Sequence, residues 1–369
     1  MTIVLAGGGT AGHVNPLLAT AQVLRERGYD IAVLGTAEGL ESDLVPAAGF
    51  DLTTIAKVPM PRRLTPALFS LPSRLRQTVT QCERILDGAD ALVGFGGYVS
   101  TPAYLAARSL GLPVIIHEQN ARPGLANRVG ASWASTVALT FDSTPLKARK
   151  GRTITTGLPL RSAIAQLAEA RRDPATALTQ RRDAAARLEL DPDLPTLLVT
   201  GGSLGALHIN EAVCGAAGDL PEGLQVLHLT GRGKDAPVRQ ALAEAGVVER
   251  WKVVDYLSTM EDALAIADLV LCRSGAGTVA EMTALGLPCV YVPLPIGNGE
   301  QKLNARDHVG VGGALIIDDA DLDASYVRNE VFPLVVSHRL GEMAAASMQL
   351  GKADAAQELA TLVEEDMGR

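Results

Sequence analysis

The chain has 369 residues, more than one ordinary hydrophobic core holds, so we expect two domains. Its 37 glycines, with 47% hydrophobic but only 4% aromatic residues, are typical of an α/β protein with many tight turns. The formal net charge of -8 and the scarcity of aromatic side chains argue against broad nucleic-acid binding.

Short apolar runs alternate with helical patterns in the first half, as expected for buried strands of a parallel sheet. The predicted strands are TIVLA (2–6), IAVLG (31–35), ALVGF (91–95), PVIIH (113–117) and TVALT (136–140). The predicted helices lie near 14–27, 66–86, 99–110 and 124–132. We assign residues 1–161 to an N-terminal domain.

The second half repeats this pattern after residues 162–195, which we expect to form a linker and the first helix of the second domain. Its predicted strands are TLLVT (196–200), QVLHL (225–229), WKVVD (251–255), LVLC (269–272) and CVYVP (289–293). We place the C-terminal domain at 196–340. The mostly helical tail, 341–369, is expected to pack back across the domains.

An internal sequence repeat supports two similar halves. IVLAGGGTAGHVNP (3–16) and LLVTGGSLGALHIN (197–210) share the order of strand, glycine turn and helix. The fold class we predict is therefore α/β, with two Rossmann-like domains whose parallel sheets face each other across a cleft. Ligands of such folds bind beyond the carboxyl ends of the strands.

The cysteines are far apart in apolar surroundings, so we expect buried thiols in a reducing compartment. They are Cys82, Cys214, Cys272 and Cys289. Residues 1–6 lack the features of a signal peptide, and prolines interrupt the uncharged run at 284–299. We expect a protein of the cytosol or of the cytosolic side of a membrane surface.

Glycine-rich turns follow four of the predicted strands, at 7–12, 94–97, 201–205 and 275–277. Turns of this kind can aim bare N–H groups and the positive end of a helix at an anion, and a diphosphate fits best. The alternative is that glycine serves only tight turns. The first turn matches G-x-G-x-x-G, but no ribose-binding acid ends the second strand, which disfavours NAD or FAD.

The segment RSGAGTVAEM, Arg273 to Met282, has two interpretations. Thr278 and Glu281 fit a capping box, in which a hydroxyl and a carboxylate satisfy free N–H groups at a helix start. In the second interpretation, the small residues Ser-Gly-Ala-Gly leave the backbone before the helix accessible, so that a ligand can contact the helix start.

Five segments in order resemble the MurG family of bacterial glycosyltransferases: GGGTAGHVNP, GFGGYVSTP, HEQNARPGLAN, GGSLGALHIN and CRSGAGTVAEMTALGLP. The resemblance implies the GT-B architecture and an inverting transfer of GlcNAc from UDP-GlcNAc to the 4-hydroxyl of lipid-linked MurNAc-pentapeptide. That reaction belongs to peptidoglycan synthesis, and so to cell shape and division. The implied partners are UDP-GlcNAc, the lipid-linked acceptor and an anionic membrane surface, at the cytoplasmic face of the cell membrane.

The resemblance also implies donor-site residues. Glu281 would accept both ribose hydroxyls, the backbone of Leu257 would recognise uracil, and Arg161 would lie near the diphosphate. The other residues implied at UDP-GlcNAc are Thr10, Gly12, His13, Asn120, Ser203, Ser274, Ala276, Gly277, Thr278, Glu300 and Gln301, with Asn304 beside the hexose. Each has a plainer alternative as a helix cap, a loop support or a solvated side chain.

His13 is the first candidate for the base that deprotonates the acceptor hydroxyl, because it titrates near neutrality at a predicted helix start. Glu118, in HEQN, is the second. No metal or other cofactor is expected to be obligatory, with UDP-GlcNAc as the co-substrate. The Asp191-Pro-Asp193 sequence lies in the linker, and the acidic run from Asp318 to Asp323 is interpreted as a solvated loop.

Residues 52–82 contain no Asp or Glu, and their cations alternate with apolar residues as in a membrane-surface patch. The residues assigned to the acceptor and the membrane are Gly96, Gly97, Tyr98, Arg62, Arg63, Phe69 and Arg74. The alternative is an ordinary amphipathic helix. The rival functions are a UDP-GlcNAc 2-epimerase, a GT-B transferase with a small-molecule acceptor and a non-catalytic nucleotide-sugar binder.

Overall fold

The computed structural model describes residues 1–57, 67–202, 206–295 and 299–368, and of residues 67–71 only the backbone. The chain divides into two compact units. Unit 1 comprises Met1–Ser162 and Lys352–Arg369, and unit 2 comprises Ala163–Gly351.

Unit 1 is built on a seven-stranded parallel sheet with the order β3-β2-β1-β4-β5-β6-β7. Its strands are β1 Thr2–Ala6, β2 Asp30–Gly35, β3 Asp51–Thr54, β4 Ala91–Gly94, β5 Val114–Glu118, β6 Thr136–Leu139 and β7 Arg152–Thr155. The sequence analysis missed β3 and β7. Both are edge strands of four residues without a fully buried position, so they lack the apolar run that revealed the others.

Unit 2 is built on a six-stranded parallel sheet with the order β10-β9-β8-β11-β12-β13. Its strands are β8 Thr196–Thr200, β9 Gln225–Leu229, β10 Trp251–Val254, β11 Leu269–Cys272, β12 Cys289–Tyr291 and β13 Ala314–Ile316. The three-residue β13 was not predicted. The two sheets share the strand order of a Rossmann fold.

Helices separate the strands in both units. Those of unit 1 are α1 Ala11–Glu26, α2 Glu41–Ala47, α3 Ala67–Ile85, α4 Ser100–Leu110 and α5 Leu125–Gly130. Unit 2 contains α6 Ser162–Ala170, α7 Pro174–Leu188, α8 Leu207–Gly215, α9 Asp235–Ala245, α10 Met260–Ile266, α11 Ala276–Ala284, α12 Glu300–Asn304, α13 Arg306–Gly310, α14 Ala324–Tyr326, α15 Phe332–Val335 and α16 Arg339–Met348. The last helix is α17, Ala355–Asp366. Gly111 ends α4 with a φ of 72°, the left-handed conformation that favours glycine at a helix C-cap.

The central strands contain apolar residues at successive positions because helices cover both faces of the sheet. In unit 1, Ile3 and Val93 belong to a buried cluster with Leu17 of α1. The neighbouring Val4 belongs to a second cluster with Tyr104 of α4, on the opposite face. Successive residues of one strand therefore support two cores, which explains the unbroken apolar runs in the sequence.

Apart from Ser162, which is assigned to unit 1, the segment at 162–195 belongs to unit 2. Asp173 caps α7 by accepting the N–H of Thr176 at 2.9 Å. Arg181 of α7 donates to the carbonyl oxygens of Pro192 at 2.7 Å and Leu194 at 2.8 Å, and its guanidinium pairs with a carboxylate of unit 2. These bonds hold α7 close to the start of β8.

The end of the chain belongs to unit 1, where α17 packs against α1 and β6. Among the described residues, three ion pairs join it to the unit: Arg27 with Glu364 at 2.7 Å, and Arg152 with both Glu365 at 2.5 Å and Asp366 at 3.0 Å. Among the described helices, none is both long and apolar enough to cross a bilayer.

The topology explains where the glycine turns lie. β1 pairs directly with β4, and β8 pairs directly with β11, so each pair is the point where the strand order of its sheet reverses. The four glycine turns follow these four strands. Each unit therefore has two glycine turns at its topological switch point, the usual place of ligands in open α/β sheets.

Candidate active site

The head of α11 lies at the switch point of unit 2. The helix begins at Ala276, with Gly275 in an extended conformation as its N-cap and no side-chain cap. The capping-box interpretation is therefore wrong, because Thr278 is already the third helical residue and Glu281 the sixth. Glycine can start the helix early, which leaves the first-turn N–H groups without a side-chain cap.

Ser274 immediately precedes this helix start and is fully buried. Its Oγ has no hydrogen-bond partner among the described residues. A buried hydroxyl without a partner costs free energy, so this atom is well suited to meet a polar group of a ligand.

Gln301 and Asn304 hold the backbone around Ser274. Gln301 Oε1 accepts the N–H of Ser274 at 3.3 Å and that of Leu294 at 2.9 Å. Asn304 Nδ2 donates to the carbonyl oxygen of Ser274 at 3.4 Å. Because they are three residues apart on α12, both side chains point toward this loop, whereas Glu300 is exposed. The geometry gives Gln301 and Asn304 a positioning role beside the direct contacts we expected.

Asp319 contradicts the interpretation of 318–323 as a solvated loop. Its side chain is 17% exposed, pairs with Arg273 and lies 3.2 Å from His208 Nδ1. Arg273 also donates to the carbonyl oxygen of Val292 at 3.0 Å, so it ties β11, β12 and the acidic segment together. Composition could not reveal this role, because the partner cation lies 46 residues away. Asp318, paired with Lys302 at 2.8 Å, is exposed as predicted.

Leu257 is a further predicted donor residue at the carboxyl edge of the unit 2 sheet. Leu257 is half-buried just after β10. Beside it, Tyr256 is exposed, and the guanidinium of Arg232 lies 3.9 Å from its ring centroid. This stacked pair was not predicted, although an aromatic residue directly after a predicted strand was a usable signal. Ser203 lies outside the described residues.

The Asp191-Pro-Asp193 segment precedes β8, so it lies at the amino ends of the parallel strands of unit 2. The head of α11 lies at their carboxyl ends. The N–H of Asp193 donates to Asp191 Oδ1 at 2.9 Å. Among the described residues, no three His, Cys, Asp or Glu side chains are grouped as metal ligands.

The first glycine turn of unit 1 differs from the expected array of bare amides. The N–H of Gly7 donates to the carbonyl oxygen of Leu34 at 3.3 Å, and the N–H of Gly9 donates to Glu41 Oε2 at 2.8 Å. The prediction is therefore wrong for these two amides. Glu41 is fully buried beneath the turn. Glu41 was not predicted here, because a ribose-binding acid was expected only at the end of β2, whereas Glu41 lies on α2.

His13 is the third residue of α1 and is half-buried. Its Nδ1 lies 2.8 Å from Thr10 Oγ1, so Thr10 contacts the candidate base. A Cβ on Gly96 would lie 3.3 Å from His13 Nε2, which shows how closely the β4–α4 turn approaches the ring. Burial lowers the pKa of His13, whereas the negative charge of Glu41 acts in the opposite direction. Gly12 is exposed at the same turn.

Glu118 has both carboxylate oxygens occupied. They accept the N–H groups of Asn120 at 3.0 Å and Gly124 at 2.9 Å, and Asn127 Nδ2 at 2.9 Å. Burial raises the pKa of Glu118 above its ordinary value, although these hydrogen bonds lower it. Since the side chain is 1% exposed, its visible role is to shape the loop after β5, and we favour His13 as the base.

The described residues that we assigned to the acceptor and the membrane lie in the β4–α4 turn and on α3. Tyr98 is 43% exposed, and Lys57 Nζ lies 5.2 Å from its ring centroid. Arg74 Nη2 donates to the carbonyl oxygen of Lys57 at 3.3 Å. Gly97, with a φ of 83°, approaches the backbone of the first glycine turn, where a Cβ would lie 2.5 Å from the carbonyl oxygen of Gly8. Arg62, Arg63 and the side chain of Phe69 lie outside the described residues, and Arg161 is half-buried after β7.

Comparison with known proteins identifies the family. Residues 3–139 match the glycosyltransferase family 28 N-terminal domain, and residues 196–359 match its C-terminal domain. The UDP-N-acetylglucosamine–N-acetylmuramyl-(pentapeptide) pyrophosphoryl-undecaprenol N-acetylglucosamine transferase of Acidothermus cellulolyticus is 50% identical, covering 99% of this chain and 98% of the relative. The transferase of the same name from Bifidobacterium adolescentis is 49% identical, covering 98% and 96%. The crystal structure of Acinetobacter baumannii MurG superposes with a TM-score of 0.80 at 29% identity, covering 99% of both chains.

This chain belongs to the MurG family. Membership in the MurG family confirms the resemblance drawn from the five sequence segments, and with it the GT-B fold of two Rossmann-like domains. Both MurG relatives are named as transferases, which does not favour the 2-epimerase alternative.

Proposed function

We propose that this chain transfers GlcNAc from UDP-GlcNAc to the 4-hydroxyl of lipid-linked MurNAc-pentapeptide. The proposal rests on the names of its relatives, which specify this donor sugar and a pyrophosphoryl-undecaprenol acceptor. The single structural observation that supports it most is the head of α11, where first-turn N–H groups lack a side-chain cap beside the buried, unpartnered Oγ of Ser274.

The donor pyrophosphate suits this helix start. A helix N-terminus favours an anion by about 0.3–1 kcal/mol when exposed, and by more when partly buried. Ser274 Oγ, Gly277 and Thr278 would supply donors to the pyrophosphate, and Glu281 would accept the ribose hydroxyls. Leu257, next to the stacked pair of Arg232 and Tyr256, would contact uracil.

The transfer itself requires a base and a stabilised leaving group. His13 Nε2 takes the proton of the acceptor hydroxyl, whose oxygen bonds to the anomeric carbon of GlcNAc. The bond from that carbon to the phosphate oxygen breaks, and its electron pair leaves with UDP. Because the hydroxyl attacks in line with the departing phosphate, the α-linked donor gives a β product. Nε2 can accept this proton in the tautomer whose Nδ1–H donates to Thr10 Oγ1.

No divalent metal is required in this proposal. The α11 dipole, Ser274 and Arg161 would offset the charge that develops on UDP. The two aspartates of the D-x-D sequence lie before β8, whereas α11 follows β11 at the carboxyl edge of that parallel sheet. They therefore lie at the opposite edge of the sheet from the proposed nucleotide site.

The acceptor would be reached at the cytoplasmic face of the cell membrane. Lys57, Arg74 and the exposed ring of Tyr98 form a cationic, partly apolar surface next to the turn at Gly96. Such a surface suits anionic lipid headgroups. The formal net charge of -8 does not favour nucleic acid as a further partner.

A radiolabelled transfer assay tests the function. Wild-type protein with UDP-GlcNAc and the lipid-linked muramyl-pentapeptide should form a labelled lipid disaccharide, whereas a soluble aglycone should remain unlabelled. His13→Ala should lower kcat by at least about 100-fold, the usual contribution of a general base. Glu281→Gln should raise KM for UDP-GlcNAc with a smaller effect on kcat. Formation of UDP-ManNAc from UDP-GlcNAc alone would instead identify an epimerase.

A further inference from the structure

Glu41 is a buried carboxylate that the proposed reaction does not use. It opens α2, is 0% exposed and accepts three hydrogen bonds, from Gly9 N at 2.8 Å, Thr36 N at 3.0 Å and Thr36 Oγ1 at 2.7 Å. It forms no ion pair with any described Lys or Arg. Taking a carboxylate out of water costs several kcal/mol, so three hydrogen bonds without a cation need an explanation.

The local sequence makes room for this carboxylate. A Cβ on Gly8, Gly35 or Gly39 would lie 2.3, 2.7 or 2.1 Å from an atom of Glu41, so the glutamate side chain would have to shift. Glycine at each of these positions therefore allows the carboxylate to reach the underside of the turn after β1. The packing is built around Glu41.

The carboxylate is ionised at neutral pH. Burial alone would raise its pKa, but the hydrogen bonds from Gly9 and Thr36 outweigh burial, so the pKa of Glu41 lies below its ordinary value. A fixed negative charge therefore lies directly beneath the first glycine turn. It occupies the N–H of Gly9 and repels a phosphate from that amide.

Glu41 is connected to His13 through one short stretch of backbone. Glu41 holds Gly9, the next residue Thr10 places its Oγ1 2.8 Å from His13 Nδ1, and the carbonyl oxygen of Thr10 accepts the N–H of His13 at 3.0 Å. Movement at Gly9 would therefore change both the orientation and the tautomer of the imidazole.

The remaining groups around His13 are neutral or already compensated. The β4–α4 turn presents Gly96, and α5 presents Asn127, whose Nδ2 also approaches Gly96. Behind Asn127, Glu118 is held by its own three donors. Among the described residues, Glu41 is the charged group whose field acts on His13.

We propose that Glu41 is a positioning residue for His13. It fixes the turn that carries the imidazole, and its charge stabilises the imidazolium that forms when His13 accepts the proton of the acceptor hydroxyl. This inference rests on the proposed role of His13 as the base. It assigns the first glycine turn to holding the base, rather than to a phosphate.

Two variants distinguish the effect of the negative charge of Glu41 from the effect of its side-chain length. Glu41→Gln keeps the size and removes the charge, so kcat should fall by about tenfold, a part of what a general base contributes. KM for UDP-GlcNAc should stay within about twofold of wild type, because the proposed site of the pyrophosphate and the ribose lies in unit 2. Glu41→Asp keeps the charge but withdraws it from Gly9, so kcat should fall less than in Glu41→Gln. Wild-type kcat in both variants would overturn the proposal.

The pH dependence provides a readout that a purely structural role would not change. Loss of the negative charge lowers the pKa of His13, so the acidic limb of kcat should move to lower pH in Glu41→Gln. Asp43→Asn, which removes an exposed charge from the same helix, should leave the limb in place. An unmoved limb in folded Glu41→Gln contradicts the proposal. Should that variant not fold, wild-type kcat in Glu41→Asp is the contradicting result.

NMR titration of His13 distinguishes failure of this inference from failure of the proposed function. If His13 is not the base, kcat does not depend on the protonation of His13. The pKa of His13 measured by NMR should nevertheless still fall in Glu41→Gln. If His13 is the base but Glu41 does not act on it, His13→Ala abolishes transfer while the NMR titration is the same in wild type and Glu41→Gln.

Discussion

Gln301 accepts the backbone N–H of Ser274 through its side-chain carbonyl oxygen, and the same oxygen accepts the N–H of Leu294. One amide side chain on α12 thereby joins the turn after β11 to the segment after β12. The turn after β11 leads directly into the uncapped start of α11, so Gln301 determines where the proposed pyrophosphate site lies.

Replacing Gln301 by Leu should therefore impair donor binding. The change keeps most of the volume but leaves two partly buried N–H groups without an acceptor, at a cost of about 1–3 kcal/mol each. We expect KM for UDP-GlcNAc to rise by about tenfold or more, with a smaller change in kcat. Lys302→Leu, at the neighbouring position whose ion pair with Asp318 is exposed, serves as the control and should behave as wild type. Equal KM values in the two variants would count against this role.

Stability should decline on mild acidification because His117, His228 and His308 are buried and neutral. Burial lowers the pKa of each to about 4 from an ordinary value of 6.5. Between these values the unfolded chain binds more protons than the folded one, so stability is full above about pH 6.5 and is lost as the pH falls toward 4. Each group contributes up to about 3 kcal/mol over that range.

Calorimetric unfolding between pH 7.5 and pH 5 measures this effect. His308 is the most convenient probe, since its ring lies 2.9 Å from the hydroxyl of Tyr291 and 2.6 Å from that of Ser347. His308→Gln cannot titrate, so its stability should depend less steeply on pH than that of wild type. A flat wild-type profile, or identical slopes in both proteins, would show that the buried rings do not control acid stability.

The sequence predicted the fold well where its signal was local and failed where contacts were distant. Unbroken apolar runs identified the central strands. The pairings β1–β4 and β8–β11 could not be derived from single segments, because strand order depends on contacts between distant parts of the chain. For the same reason Asp319 was interpreted as solvated, although Arg273 neutralises it across the unit 2 sheet.

Within the site, residue types were easier to predict than their hydrogen-bond partners. Thr278 and Glu281 had capping-box spacing, but the box requires a helix start at Thr278, and Gly275 allowed an earlier one. Gly9 was interpreted as a bare amide because the acceptor that occupies it, Glu41, comes 32 residues later. A glycine motif therefore indicates close approach of backbone without revealing whether a ligand or a protein group approaches.

Charge reversal should weaken membrane binding without affecting the donor site. Arg62→Glu, Arg63→Glu and Arg74→Glu combined should reduce affinity for vesicles containing phosphatidylglycerol by at least about 100-fold, since each cation contributes roughly 1 kcal/mol near an anionic surface. Cosedimentation measures this, with UDP-GlcNAc affinity as the internal control. Lys150→Glu, an exposed cation of unit 1 outside the patch, should bind vesicles normally. Unchanged sedimentation of the triple variant would remove the patch from the membrane interface.

Chelation tests whether a metal assists the leaving group. With helix N–H groups, Ser274 and Arg161 proposed to stabilise UDP, transferase activity should persist in excess EDTA at more than about half its original rate. Asp191→Asn with Asp193→Asn should likewise retain activity, because these residues precede β8 at the opposite sheet edge. Activity that disappears in EDTA and returns with one divalent ion would refute the metal-free mechanism.

A crystal structure of this chain with UDP-GlcNAc bound is the most direct test of the account. We predict that the pyrophosphate lies within hydrogen-bond distance of Ser274 Oγ and of the first-turn N–H groups of α11, with Glu281 on the ribose. A pyrophosphate held instead by the turn at Gly9, or a nucleotide bound away from α11, would contradict it.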